Sequence, residues 1–365
     1  MTEAAVSPAA GAIPQLITDL TPEWLTAAIG QRIDDVAIES IGEGIGLVGQ
    51  LARLHLRGDD GVPTTVIAKM HSLHAENQGI AMHYGLYTTE AGFYTDCAHQ
   101  LGVRVPRSYH AAASPDGSMC VLLLEDMAGA VALDQIAGCP IDRAEQVVDD
   151  LATLHSRWWE NPELDEMPWL RPVNNDAYKS ITGHYGMGLD VVRAEYGDVL
   201  PPAALECAAH YGEIVADLYD WTFHHRPMTL AHTDLRLDNL FFDHPDGSDL
   251  VMIDWQLTVR SLGAFDLSYF LCESLTTDDR REHEERLVRR YHAGLLAGGV
   301  TGYTFDDLWF DYRVSMATQF SITVVSALMD LGNERGRDLA DTMIRRQFTA
   351  VADHDVLPLL RELPL

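Results

Sequence analysis

The chain has 365 residues, 47% of them hydrophobic and 22% charged, the balance of an ordinary globular protein with length for one large or two modest domains. A formal net charge of −30 argues against nucleic-acid or anionic-membrane partners, which need basic surfaces, and no apolar run approaches the length of a membrane span. The five cysteines (Cys97, Cys120, Cys139, Cys207, Cys272) are odd in number and lack C-x-x-C spacing, so they read as reduced thiols of a cytoplasmic protein, not as a disulfide frame or zinc site.

Residues 1–15 are rich in Ala and Pro and carry no basic n-region, the composition of a disordered lead-in, not of a signal peptide. A capped helix is predicted over 16–37, opened by Thr21-Pro22-Glu23, with Trp24, Leu25 and Ile29 facing inward. The runs Ile38 to Leu56 and Thr64 to His71 flank Gly58-Asp59-Asp60-Gly61 and read as an antiparallel hairpin. A helix is predicted from about Asn77 to Leu101, then a strand from Met119 to Leu124. From about Asp142 the pattern is helical, roughly over 142–160, 174–197, 203–225, 277–297, 305–331 and 335–353. The exception is 228–255, where Leu240–Phe242 and Leu250–Ile253 flank the turn His244-Pro245-Asp246-Gly247. The expected class is α+β: a small β-rich lobe over 16–127, then a mainly helical lobe over 128–365.

The second hairpin region carries the chemistry. His232-Thr-Asp234-Leu-Arg236-Leu-Asp238-Asn239 is followed fifteen residues later by Asp254, at the end of an apolar run. In order, that supplies an aligner or base for a hydroxyl, a neutral metal ligand and an anionic one, the parts that phosphoryl transfer asks of a protein. Upstream, Lys69 ends Val66-Ile67-Ala68-Lys69 and is one of only two lysines among 25 basic residues. Where composition favours Arg for generic charge, a lysine in an apolar strand points to a need for a compact ammonium, such as a nucleotide phosphate site. Gly44, Gly46 and Gly49 fit G-x-G-x-x-G, with Gly42 an alternative first glycine. Because Leu51–Leu56 after them reads as a strand and not a helix, a flap over phosphates is favoured against a dinucleotide-binding turn.

These residues resemble the aminoglycoside-phosphotransferase-like and choline-kinase-like superfamily of small-molecule kinases. The wording His232 to Phe242, Ile253-Asp-Trp-Gln256, Gly263-Ala-Phe-Asp266-Leu-Ser-Tyr-Phe270, Leu151 to Trp159 and Leu122 to Met127 is most similar to the ecdysteroid kinase-like branch. The resemblance implies a bilobal protein-kinase-like fold. It makes Asp234 the catalytic candidate and gives Asn239 and Asp254 to Mg²⁺. Lys69 would contact the α- and β-phosphates of ATP, paired with Glu90 in Thr-Thr-Glu90-Ala-Gly-Phe93-Tyr94. Gly42, Gly44 and Gly46 would cover the phosphates, and Glu125 to Met127 would join the lobes where backbone groups recognise adenine. His232, Arg236 and Asp266 would support the catalytic loop. Trp158, Tyr269, Glu273 and Trp309 are the acceptor-pocket candidates.

The expected activity is transfer of phosphate from ATP to a hydroxyl of a small molecule with Mg²⁺. The alternatives are a kinase specific for aminoglycosides or choline-like amino-alcohols, and a non-catalytic nucleotide-binding pseudokinase. A protein kinase is disfavoured, because Asp254-Trp255-Gln256 stands where D-F-G would and only about eleven residues separate Asp254 from Asp266.

Overall fold

The structure is a computed structural model that describes residues 12–41, 49–328 and 334–365. By its contacts the chain separates into two compact units: Met1–Gln100 with Arg104–Gly129 and Ile253–Leu257, and Leu101–Val103 with Ala130–Met252 and Thr258–Leu365.

In the first unit, α1 (Pro22–Ile29) starts on the Thr21 side chain, which accepts the Trp24 N–H, with Pro22 in the first turn. It ends at Gly30, held at φ 76°, well before the predicted residue 37. The chain then enters β1 (Ile33–Ser40), so the predicted run from Ile38 to Leu56 belongs to two strands, β1 and β2 (Gly49–Gly58). β3 (Thr65–His71) follows as the hairpin partner of β2. Where one helix was expected from 77 to 101 there are α2 (Ala75–Tyr84) and α3 (Leu86–Gly92), separated by Gly85 at φ 71°, then a π-helical turn at Phe93–Cys97. β4 (Ser108–Ala113) was not foreseen, since Ser-Tyr-His-Ala-Ala-Ala holds no β-branched residue, and β5 (Cys120–Glu125) closes the unit. The five strands form one antiparallel sheet in the order β1-β2-β3-β5-β4.

Alternation along β3 decides which face carries chemistry. Val66, Ala68 and Met70 are fully buried against Leu25, Ala28, Leu54, Val121 and Leu123, which leaves Lys69 on the opposite face. Each larger aliphatic in that core contributes roughly 1.5–3 kcal/mol by leaving water. A one-residue slip of β3 would exchange Lys69 with Ala68 or Met70, so the core fixes the direction of the lysine.

The second unit opens with β6 (Val131–Ala132) and α4 (Ile141–Trp158). On α4, Ala144, Val147, Val148, Leu151, Ala152, Leu154, His155 and Trp158 are buried, the helical period that packs it inward. Then come α5 (Asp176–Lys179), α6 (Thr182–Tyr196), α7 (Pro202–His225), β7 (Thr229–Ala231), β8 (Leu240–Phe242), β9 (Leu250–Met252) and β10 (Val259–Ser261). β8 pairs with β6 and β9, and β7 pairs with β10, so two short antiparallel sheets bracket the loop His232–Asn239. The remainder is α8 (Gly263–Ser274), α9 (Thr277–Ala297), α10 (Phe305–Thr318), α11 (Phe320–Ser326), α12 (Glu334–Asp353) and α13 (Val356–Arg361). α8 is absent from the predicted helices for a physical reason. All but Phe265 of its residues are buried, so it has no polar face to give a periodic signal. The five cysteines are free and buried, and no described helix is long and apolar enough to cross a membrane.

Candidate active site

Three residues far apart in sequence meet in the first unit. Lys69 Nζ lies 2.7 Å from Glu90 Oε2 on α3 and 2.7 Å from Asp254 Oδ1. Burial opposes the charge on Lys69, but the Asp254 and Glu90 carboxylates outweigh it and hold the ammonium protonated well above its usual range. Burial pushes the Glu90 carboxyl the other way, up to about 7, against the pull of Lys69. Asp254 stands at φ 63°, a left-handed conformation that costs a non-glycine residue roughly 1–3 kcal/mol and is found where surroundings over-determine it. Two contacts of its own turn do so: Gln256 Nε2 donates to Asp254 Oδ2 at 3.3 Å, and Trp255 stacks on Phe93 with ring centres 4.2 Å apart and planes at 8°. Phe93 follows α3 directly, so that stack ties the turn bearing Asp254 to the helix bearing Glu90.

Within the first unit, at the end of β5, Glu125 and Asp126 are both pinned. Arg104 Nη2 donates to both Glu125 carboxylate oxygens at 2.7 Å, and Arg53 Nε donates to Asp126 Oδ2 at 2.6 Å. Met127 is buried, and the Glu125 N–H is already committed to the Arg107 carbonyl at 2.8 Å. Gly42, Gly44 and Gly46 lie outside the described residues.

In the second unit, Asp234 is gripped on both oxygens. Tyr269 donates its hydroxyl to Oδ1 at 3.2 Å, and Asn239 Nδ2 donates to Oδ2 at 3.0 Å and to the Asp234 carbonyl at 2.8 Å. With its amide nitrogen committed to Asp234, Asn239 turns its carbonyl oxygen into the atom a cation would use. Arg236 lies in the same loop, its Nε 3.5 Å from Asp234 Oδ1 and its Nη1 3.3 Å from Asp238 Oδ2.

The loop is held in an uncommon conformation. Thr233, a β-branched residue, sits at φ 62°. Opposing that strain, the fully buried Asp266 carboxylate accepts the His232 N–H at 2.7 Å and the Thr233 N–H at 2.8 Å. Hydrogen bonds to a charged acceptor contribute about 1.5–3 kcal/mol each, so two exceed the strain of about 1–3 kcal/mol. Asp266 lies in the first turn of α8, where the helix dipole favours a carboxylate. His155 Nε2 meets its Oδ2 at 3.2 Å, and His155 Nδ1 meets the Tyr291 hydroxyl at 2.7 Å. A Cβ at Gly263 would lie 2.8 Å from His155 Nδ1, which is why glycine opens α8. His232 is fully buried and its Nδ1 accepts the Asp234 N–H at 3.3 Å, a contact within the loop.

Of the acceptor candidates, Tyr269 reaches Asp234. Trp158 is fully buried on α4 under the Arg157 guanidinium, and Trp309 on α10 stacks on Phe305 and Tyr312, contacts of aromatic packing. Glu273 is fully buried one turn beyond Tyr269, and neither of its carboxylate oxygens has a hydrogen-bond partner among the described residues. The sequence alone does not single out His155. Its signal, a histidine on the apolar face of an otherwise well-patterned helix, is one shared with many core histidines.

Comparisons with known proteins place the chain by family and by fold. The model of the ecdysteroid kinase-like family matches residues 48–298. An uncharacterized kinase-like protein of Caenorhabditis elegans is 25% identical over 67% of this chain, and the match spans 65% of that relative's length. Among solved structures, the GDP complex of an aminoglycoside 2'-phosphotransferase is 14% identical, covers 88% of this chain and 94% of its own, and superposes with a TM-score of 0.52. A choline kinase of Streptococcus pneumoniae is 17% identical, with coverages of 88% and 94% and a TM-score of 0.51. An ethanolamine kinase of Plasmodium vivax is 12% identical, with coverages of 87% and 82% and a TM-score of 0.52. At these identities the likeness shows the fold, the bilobal α+β class expected from the sequence.

Proposed function

We propose, on the premise that this chain belongs to the ecdysteroid kinase-like family, that it transfers the γ-phosphoryl group of ATP to a hydroxyl of a small molecule. The observation that carries the reading is the convergence of Lys69, Glu90 and Asp254, with a strand ammonium 2.7 Å from each carboxylate. Solved neighbours of the same fold hold GDP or AMP, which supports a nucleotide as the donor.

Mg-ATP, when bound, supplies an electrophilic phosphoryl group whose charge the metal offsets. The chain offers it fitting ligands: Asp254 and the Asn239 carbonyl would each give Mg²⁺ a hard oxygen, the kind it prefers. Lys69, kept protonated, offers phosphate oxygens a point charge, and Glu90 holds it in place. Asp234 would accept a hydrogen bond from the acceptor hydroxyl, orient its oxygen toward phosphorus and take its proton as the new O–P bond forms and the bond to the ADP oxygen breaks. Tyr269 and Asn239 keep the Asp234 carboxylate from rotating. Glu125–Met127 would take the base by backbone groups.

The test is Mg²⁺-dependent ADP release over pooled hydroxyl compounds, amino-alcohols against neutral alcohols, with Asp234→Asn alongside. Wild type is expected to turn over, and the variant to lose about 10³-fold in kcat while binding ATP. Near-normal activity of the variant would remove Asp234 from its role.

A further inference from the structure

The loop from His232 to Asn239 runs beside α8 and is fastened to it at three heights. Asp266, in the first turn, takes the His232 and Thr233 N–H groups. Tyr269, one turn on, takes Asp234. The third fastening comes from outside both elements. Gln135 is fully buried, and its Oε1 accepts the Leu237 N–H at 2.8 Å while its Nε2 donates to the Glu273 carbonyl at 2.8 Å. One amide therefore joins the centre of the Asp234–Asn239 stretch to the last turn of α8.

Gln135 is itself locked. Arg346, nearly buried on α12, donates from Nη1 to the Gln135 and Glu273 carbonyls, both at 2.8 Å, and from Nη2 to the Ile136 carbonyl at 2.9 Å. The Cys139 N–H donates to the Ser274 carbonyl at 2.7 Å. Carbonyls at the end of a helix lack intrahelical donors, so Gln135, Arg346 and Cys139 act together as the C-terminal cap of α8. The chemistry of the position admits few replacements. Glutamate would set an acceptor against the Glu273 carbonyl, asparagine is one methylene short, and leucine makes neither bond.

Resting on the phosphotransferase reading, we infer that Gln135 is a positioning residue for that reaction: through Leu237 it sets where Asp234 and Asn239 stand along α8, and Arg346 locks it. Its effect falls on the reacting geometry, not on nucleotide affinity. Displacement of a catalytic loop by about 1 Å costs on the order of 10²-fold in rate.

The test compares Gln135→Leu, and the milder Gln135→Met of nearly equal length, with Tyr303→Phe, which removes a hydrogen bond to Asp311 elsewhere in the same unit. Two readouts are taken: hydrogen exchange of the peptide spanning 235–241, and kcat against KM for ATP. Either Gln135 variant is expected to speed exchange in that peptide about tenfold and to lower kcat about 10–100-fold, with KM for ATP within about twofold. Tyr303→Phe should move the thermal midpoint and neither readout. Unchanged exchange in both Gln135 variants, or a loss of kcat matched by Tyr303→Phe at equal thermal midpoint, would overturn the inference. If wild type phosphorylates no acceptor, the phosphotransferase reading fails, while the exchange arm still decides whether Gln135 holds the loop.

Discussion

The Tyr269 hydroxyl donates to Asp234 Oδ1 at 3.2 Å, and both residues owe their places to α8. Tyr269 projects from its middle, while Asp266 in its first turn holds the backbone that carries Asp234. The helix is thus a ruler for the loop. Burial raises the Tyr269 phenol well above its usual range, with Asp234 the next cause, so it remains a donor at any working pH. Tyr269→Phe should lower kcat about 5–30-fold, the equivalent of one lost hydrogen bond of about 1–2 kcal/mol to a charged acceptor. KM for ATP should stay as it is. Steady-state kinetics with varied ATP and acceptor would check this.

Lys69 meets two carboxylates from different elements, and a guanidinium would not replace it. Its bulk and planar fork exceed the space of an ammonium 2.7 Å from both Glu90 and Asp254. Lys69→Arg should therefore lower kcat/KM for ATP about 10²-fold or more despite conserving charge. Isothermal titration with the nucleotide would separate lost binding from lost turnover.

Phe93 and Trp255 are both fully buried and stack at 4.2 Å. Phe93→Ala opens a cavity between α3 and the turn that carries Asp254. The expected loss is about 3–5 kcal/mol of stability, as for other buried Phe truncations, together with a rise in KM for ATP. Phe93→Leu should recover much of both. Chemical denaturation of the two variants would test the ordering.

Asp150 on α4 carries a buried-charge penalty with a clear sign. Burial first, then Asp149 and Asp249, push its carboxyl from 3.8 up to about 6. An acid raised on folding binds its proton more tightly in the folded state, so stability falls as pH rises from about 4 to about 6 and is level above. Asp150→Asn should raise the thermal midpoint at pH 8 by the equivalent of about 1–2 kcal/mol, with allowance for partial exposure, and leave it unchanged at pH 3.5. A scan of midpoint against pH would reveal a sloping difference between the two proteins over that window.

Local chemistry made part of this protein legible in its sequence. Asp234, Asn239 and Asp254 could be read because a loop and the turn after a short strand keep functional groups at fixed spacing. Lys69 could be read because an ammonium in an apolar strand demands a reason. The α+β class followed from runs of period two giving way to runs of period 3.6. Elements without such a signal were lost: α8 has no polar face, and β4 has no β-branched residue. Tertiary structure alone decided the partners. Gln135 meets Leu237 across 102 residues and the Glu273 carbonyl across 138, and a lone buried glutamine announces neither. The stacking of Phe93 on Trp255, the grip of Tyr269 on Asp234 and the lock of Arg346 are of the same kind. Sequence records which groups can bond, and packing of distant elements selects the bonds that form.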